Sequence, residues 1–403
     1  MPSWQKKWRT KFVNRFVPAE RALRTAAPDQ LLQAIRVVLA RQYAASSVEL
    51  FMADYGMTVL QPVPVPPYAA EPLPIHGTPA GRAFGAQEPF AEPADGDVER
   101  LHLPVTVRGD RLGVLTVTLP ADHARQSLAE LAEIAQILAH ELVVAGRHTD
   151  VYLQARRLHR LTLAAEMQWQ LLPGHSCAQP EYEIGAQLEP AYAIFGDSFD
   201  WSSTADRLLL YVTNGMGEGT EASLLTNLAV NALRNARRAG IPLADQAALA
   251  DQAVYAHYQG AAYLSVLMLE FDLATGRVQA VDAGSPRMLR LRRGGAVEPV
   301  SFEAQLPLGM FEETDYVAQE FQVHPGDRLV VVSDGVHEAA SPGGERYGDR
   351  ALARAITATR LLPAAQVPHA VLRQLTGHRS KVAPDDDALV VCLDWNGRTS
   401  SGS

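Results

Sequence analysis

Apolar positions along the chain change period several times, and each change marks an element. Trp4, Trp8, Phe12 and Phe16 recur every fourth residue, one aromatic stripe on a helix with a basic opposite face. From Gln30 to Ala44, Leu31, Ile35, Val38 and Leu39 share a helical face. Short alternating stretches follow at Ser47–Ala53 and Met57–Val63, and a small helix is expected around Gly77–Ala86. Leu101–Val107 turns at Gly109-Asp110 into Leu112–Leu119 and reads as a hairpin. Between Ser127 and Leu172 the pattern is helical almost throughout. Leu128, Leu131, Ile134, Leu138 and Leu142 form its seam, Gly146 interrupts it, and Leu158, Leu161 and Ala165 resume it.

The second half reads differently. Strands are predicted at Tyr182–Leu188, Arg207–Thr213, Tyr263–Asp272, Arg277–Ala283, Met288–Arg293, Tyr316–Val323, Asp327–Ser333 and Ala388–Leu393. Amphipathic helices Glu221–Ala239 and Leu243–Tyr258 stand together between strands, and two more lie within Asp349–Leu375. Helices inserted in pairs, not one per strand, argue against a doubly wound parallel sheet. They favour an α/β (α+β) arrangement, a two-layer antiparallel β-sandwich with helices outside.

Composition narrows the classes. At 403 residues the chain has material for two to three domains, and a formal charge of −9 argues against general nucleic-acid binding. No apolar run is long enough to span a bilayer, and no signal-peptide pattern opens the chain, so a cytoplasmic location is expected. Cys177 and Cys392 lie far apart without ligand-type spacing. The opening segment departs from the acidic average, since Lys6, Lys7, Arg9, Lys11, Arg15, Arg21 and Arg24 face only Glu20. A membrane-surface or docking helix fits that pattern. A terminal helix packing its aromatics on the body of the protein fits too, and is preferred.

Candidate chemistry gathers at strand ends. The apolar run Leu208–Val212 stops at Asn214-Gly215-Met216-Gly217-Glu218-Gly219, where three glycines let a backbone approach something closely. Acids fall beside other strands: Asp197 and Asp200 in FGDSFDW, Asp334 in VVVSDGVHEA, and Asp385-Asp386-Asp387 before ALVVCL. A lone Asp-Gly is most often a solvated turn. Carboxylates delivered from several strand ends to one place are what hard divalent ions require, and two such ions can polarise a phosphoryl group for in-line attack.

AAEMQWQLLP, EPAYAIFGDSFDW, NGMGEG, FDLATG, LPLGM, HPGDRLVVVSDGVHEA and DDDALVV follow one another across residues 164–395. As a set they resemble the PPM family of metal-dependent protein Ser/Thr phosphatases, in its bacterial sporulation and stress-response branch. The resemblance implies a helix-flanked β-sandwich and a centre of two Mn or Mg ions. It also implies a phosphoserine or phosphothreonine protein as substrate, often an anti-sigma-factor antagonist in partner switching. Upstream, the strand–helix–hairpin order with GRAFGAQEPF and LHLPVTVRGDRLGVLTVTL resembles a GAF sensor domain, which implies small-molecule binding or a dimerising role. The expected organisation is a basic segment 1–27, a GAF-like domain 28–126, a helical linker 127–172 with a possible coiled coil, a phosphatase-like domain 173–396 and a tail 397–403. A homodimer is expected.

Carried over position by position, the resemblance implies Asp197, the Gly215 carbonyl, Asp334 and Asp385 as metal ligands, with Asp386 chosen by a register one residue later. Four places depart from it. Phe195 stands for a glycine, Glu218 for the usual His or Ala, and Asn214 for the Asp that bridges both ions; Gly284-Ser285-Pro286 departs as well. An amide offers one good acceptor and no charge, so Asn214 should weaken the second ion. Two functional readings stand: a phosphatase with a modified metal centre, or a pseudophosphatase that binds a partner without hydrolysis. A nucleotide-binding reading lacks a P-loop Lys.

Overall fold

The computed structural model describes residues 15–64, 70–94, 96–189, 196–284, 286–380 and 386–398. Trp4, Trp8, Phe12, Phe195, Ser285, Asp385 and the end of the tail lie outside these residues. The chain divides into two compact units, Met1–Arg160 and Leu161–Ser403. No described helix is long and apolar enough to cross a membrane.

The first unit begins with helix α1, described over 15–25, and α2 (Leu31–Tyr43). Strands β1 (Ser47–Ala53), β2 (Val59–Pro62) and β3 (Leu73–Pro74) precede α3 (Pro79–Ala86). Strands β4 (Phe90–Pro93), β5 (Val98–Val107) and β6 (Asp110–Pro120) follow, then α4 (Ala121–Ala145) and α5 (Val151–Ala155). The six strands form one antiparallel sheet in the order β3-β2-β1-β6-β5-β4. The hairpin closes between Val107 and Asp110, so Arg108 (φ 50°) and Gly109 (φ 91°) are its central pair, one residue earlier than the pattern suggested. Two positive φ values suit the right-handed twist of the strands. Period-two alternation then sorts β1: Leu50 and Met52 enter the main core with α2 and α4, while Phe51 and Ala53 join Phe84 of α3 on the other face.

The linker expectation needs correction. Helix α4 ends at Ala145, α5 is a short piece, and residues 156–162 carry no helix. Leu131, Ile134, Leu138 and Leu142 are buried in the core of their own unit, so that seam is not available to a coiled coil. Periodicity locates the buried face of a helix but not what buries it. Phe16 packs partly buried against the same core, in keeping with the packing reading of the terminal stripe.

The second unit opens with α6 (Leu163–Leu171), the helix of the AAEMQWQLLP segment. It continues through β7 (Ser176–Gln179), β8 (Tyr182–Glu189), β9 (Ser198–Ser203) and β10 (Arg207–Gly215) to α7 (Gly219–Arg238) and α8 (Leu243–Tyr258). Next come β11 (Leu264–Asp272), β12 (Arg277–Ala283), β13 (Arg287–Leu291), β14 (Val297–Val300), β15 (Gln319–Gln322) and β16 (Arg328–Val332). Helices α9 (Asp334–His337), α10 (Ala351–Ala358) and α11 (Val367–Arg379) lead to β17 (Ala388–Trp395). Two antiparallel sheets result, β15-β12-β11-β10-β9 and β14-β13-β16-β17-β8-β7.

Strand β10 is apolar on both faces because both faces are covered. Leu209 and Tyr211 join Leu225, Leu233 and Val254 of α7 and α8. Leu208, Leu210 and Val212 alternate to the opposite face and are equally buried. In the other sheet Val330, Val332, Val390 and Cys392 pack with Ile356 and Val371 of α10 and α11. Phe271 of β11 stacks on Trp395 of β17 at 5.8 Å, one sheet against the other. The class is therefore mixed α/β with antiparallel sheets and helices outside.

Candidate functional site

Strand β10 stays paired to the end: Asn214 lies opposite Ser265 and Gly215 opposite Leu264. Gly215 sits where no side chain fits, since a Cβ there would lie 2.6 Å from the Gly196 carbonyl oxygen and 2.8 Å from Thr226 Oγ1. Thr226, on α7, donates its hydroxyl to that same carbonyl at 2.7 Å. The start of α7, the end of β10 and the approach to β9 are thus drawn into one knot. Gly217 (φ 93°) and Gly219 (φ 68°) shape the turn between them. Glu218 is exposed at the α7 N-cap and makes no capping bond. Asn214, four residues earlier at the end of β10, is half-buried.

Around this knot the acids converge. Asp387 is fully buried, and its Oδ2 accepts the amides of Gly196 at 2.9 Å and Asp197 at 3.1 Å. Gln168 of α6 donates to the Asp197 carbonyl from another side. Ser333, at the end of β16, donates to the Asp387 carbonyl at 3.1 Å and accepts the Leu389 amide at 3.0 Å. A Cβ on Gly335 would lie 2.0 Å from the Asp387 carbonyl oxygen, so the first turn of α9 rests directly on that peptide. Arg379 of α11 donates to the Gly335 carbonyl. Asp334 Oδ1 accepts the Gly335 amide at 2.9 Å, and Asp386 Oδ1 accepts the Asp387 amide at 2.8 Å.

Asp197 is 1% exposed, and its Oδ2 has no hydrogen-bond partner among the described residues. Burial first, and then the neighbouring Asp387 carboxylate, push its carboxyl well above the usual carboxylate range. Asp386 and Asp334 add to the shift, whereas the Ser333 hydroxyl opposes it. No cation stands among the groups that act on it most. Buried carboxylates are ordinarily paired or bound to a metal, and an oxygen-only set with an unused carboxylate oxygen suits a hard divalent ion. Among the described residues, no three His, Cys, Asp or Glu side chains close into a ligand set on their own.

Strand-end position misled at Asp200. Its carboxylate is gripped by Arg234 at 2.7 and 3.1 Å and by Arg237 at 2.9 Å, both from α7. Sequence reasoning also passed over Gln168, Thr226, Ser333 and Asp387 as positioning groups. Gln168 stood in a quoted motif and Asp387 in a quoted acidic run, but one-dimensional spacing carries no sign of which carboxylate turns inward. Gly284 (φ 72°) packs against Pro307, where a Cβ would lie 2.9 Å from Pro307 Cγ, which brings the LPLGM segment beside the Gly284 turn.

Residues 204–396 match the family described as Stage II sporulation protein E (SpoIIE). Among solved structures, the RsbU and RsbW domains of a Mycobacterium tuberculosis protein are 21% identical over 55% of this chain, with a TM-score of 0.48. The chain covers 61% of the length of that structure. The SiaA-PP2C domain of Pseudomonas aeruginosa is 20% identical, covering 58% of this chain and 94% of that one, with a TM-score of 0.49. The PP2C phosphatase domain of SpoIIE from Bacillus subtilis, with a fragment of its regulatory domain, is 13% identical. That alignment covers 99% of both chains at a TM-score of 0.48.

Proposed function

We propose that the chain, whose residues 204–396 match the Stage II sporulation protein E (SpoIIE) family, is a signalling regulator of phosphoserine or phosphothreonine on a partner protein. The observation that carries this reading is the buried Asp197 carboxyl, raised by burial and by the neighbouring Asp387, Asp386 and Asp334, whose Oδ2 has no hydrogen-bond partner among the described residues. Asp197, Asp334, Asp386 and the Gly215 carbonyl would hold the ions, together with Asp385, and two ions of Mn or Mg are the cofactor assigned. Bound there, they would polarise a phosphoryl group and lower the pKa of water. Asp387 acts as a positioning residue: its Oδ2 is committed to the Gly196 and Asp197 amides, which fixes the backbone that presents Asp197.

The partner is a phosphoprotein of the anti-sigma-factor antagonist type. Residues 28–126 are the GAF-like sensor of the same regulator. A homodimer would have to use a surface other than the α4 seam, whose leucines are buried.

A second reading rests on Asn214. An amide at the bridging position leaves two dications without the charge between them, so a pseudophosphatase that binds its phosphoprotein without hydrolysis is supported by that residue. Hydrolysis of a generic phosphoester against Mn²⁺ concentration separates the two, with Asp197→Ala as blank. Activity above the blank supports the phosphatase. Silence restored by Asn214→Asp supports a silenced centre on an intact fold, and silence in both supports a binding protein.

A further inference from the structure

The ends of β16 and β17 away from the acids frame a second feature. A cleft of about 430 Å³ opens there, lined among others by Arg292, Arg293, Arg328, Arg360, Asp394 and Asn396. Strand β17 runs from the acid cluster at Ala388 to the cleft at Trp395, roughly 25 Å at strand rise. The two places are separate sites on one sheet.

Charge in the cleft is unbalanced. Arg328 is saturated: it clasps Asp394 at 2.6 and 2.7 Å and donates to the Thr359 and Leu362 carbonyls at 2.7 Å each. Asp327 Oδ2 accepts the His324 amide at 3.0 Å. Arg292 shares Glu298 with Arg290 at 3.2 Å. Arg293 and Arg360 are exposed to the cleft, and neither side chain has an ion pair or hydrogen bond with a described residue. The stem of Arg293 lies along Gly326, where a Cβ would be 3.5 Å from Arg293 Cβ and Cδ. Two uncompensated guanidinium groups thus share a concavity on a chain of formal charge −9.

We propose that this cleft binds a phosphate-bearing small molecule, with its phosphate oxygens on Arg293 and Arg360. Planar guanidinium forks match phosphate oxygens two at a time, and the cleft volume lies in the range of small-ligand sites. Arg328 and Asp394 form the rigid floor, and Asn396 and the Gly294-Gly295 turn add polar groups at the rim. The inference does not depend on whether the acid cluster is catalytic.

The test is calorimetric titration of the full chain in EDTA with inorganic pyrophosphate, and in parallel with a nucleoside diphosphate, which tells a free phosphate source from a nucleotide. Binding that weakens with added salt is expected in the wild type and in Asp197→Ala. In Arg293→Ala/Arg360→Ala it should weaken at least about tenfold, with Arg293→Lys/Arg360→Lys between the two. Both arginines are exposed, so the unliganded melting temperature should not move. The proposal is overturned by no binding of either compound to the wild type at millimolar concentration, or by equal binding in wild type and the double Ala variant.

Discussion

The Asp387 carboxylate holds the backbone of Asp197, accepting its amide at 3.1 Å and the preceding Gly196 amide at 2.9 Å, while the Asp197 carboxylate keeps Oδ2 unpartnered among the described residues. One acid therefore builds the loop and the other is offered by it. Replacing Asp387 with Ala leaves two buried amides without an acceptor, which should cost about 3 kcal/mol in urea unfolding. Asp387→Asn keeps an oxygen acceptor and should cost less. Equal losses in the two variants would show that the amide bonds are not what Asp387 contributes.

Manganese should raise the melting temperature of the wild type, and EDTA should reverse the gain, because a ligand that binds only the folded state stabilises it by mass action. Asp197→Ala should remove the shift. Asn214→Asp should enlarge it and raise phosphoester hydrolysis by about tenfold or more, through the restored charge at the bridging position.

Asp200 separates the two kinds of strand-end acid. Asp200→Ala strips both Arg234 and Arg237 of their partner, and breaking such a buried network should cost about 3 kcal/mol in a denaturant titration. The manganese shift, scaled to the lower melting temperature, should persist. Its disappearance would place Asp200 among the ion-binding groups.

Gly215→Ala forces a Cβ to within 2.6 Å of the Gly196 carbonyl oxygen and 2.8 Å of Thr226 Oγ1. Overpacking of that kind should destabilise by about 2 kcal/mol and abolish the manganese shift. A Thr226→Ser variant keeps the hydroxyl donor and should retain the shift.

Asp251 of α8 accepts the Gly309 amide at 2.7 Å and the Tyr316 hydroxyl at 3.2 Å. Burial pushes its carboxyl up, and those two bonds only partly offset the shift. The folded protein therefore holds this proton over a range where the unfolded chain has released it. Stability should fall as pH rises from the ordinary carboxylate value to the raised one, and level off above it. Asp251→Asn keeps an acceptor for Gly309 and should flatten that stretch of the stability–pH curve. An unchanged slope in the variant would assign the dependence to other groups.

Much of the fold was legible because burial on both faces writes continuous apolar runs. Arg207–Thr213, Asp327–Ser333 and Ala388–Leu393 each landed on a strand, and Leu243–Tyr258 matched its helix at both ends. Strands β9 and β14 escaped, as did the edge strand β7. Ser198–Ser203 mixes Asp200 and serines with two aromatics, and Val297–Val300 is an edge strand carrying a proline, so neither has an apolar run to announce it. At the site, residue types were legible and directions were not. The run Asp385–Asp387 declared an acidic approach to β17, but the inward turn of Asp387 follows from Ser333 and Gly335 pressing on its peptide.

Asn214 is held by main-chain pairing to Ser265, and its amide side chain enters no hydrogen bond with a described residue. Thr226, Gln168, Ser333 and Asp387 secure the surrounding backbone without it. An Asn/Asp exchange at this position thus leaves the scaffold intact. On the proposed two-metal reading, one codon step at residue 214 would therefore change the charge of the site alone, with nothing to refold.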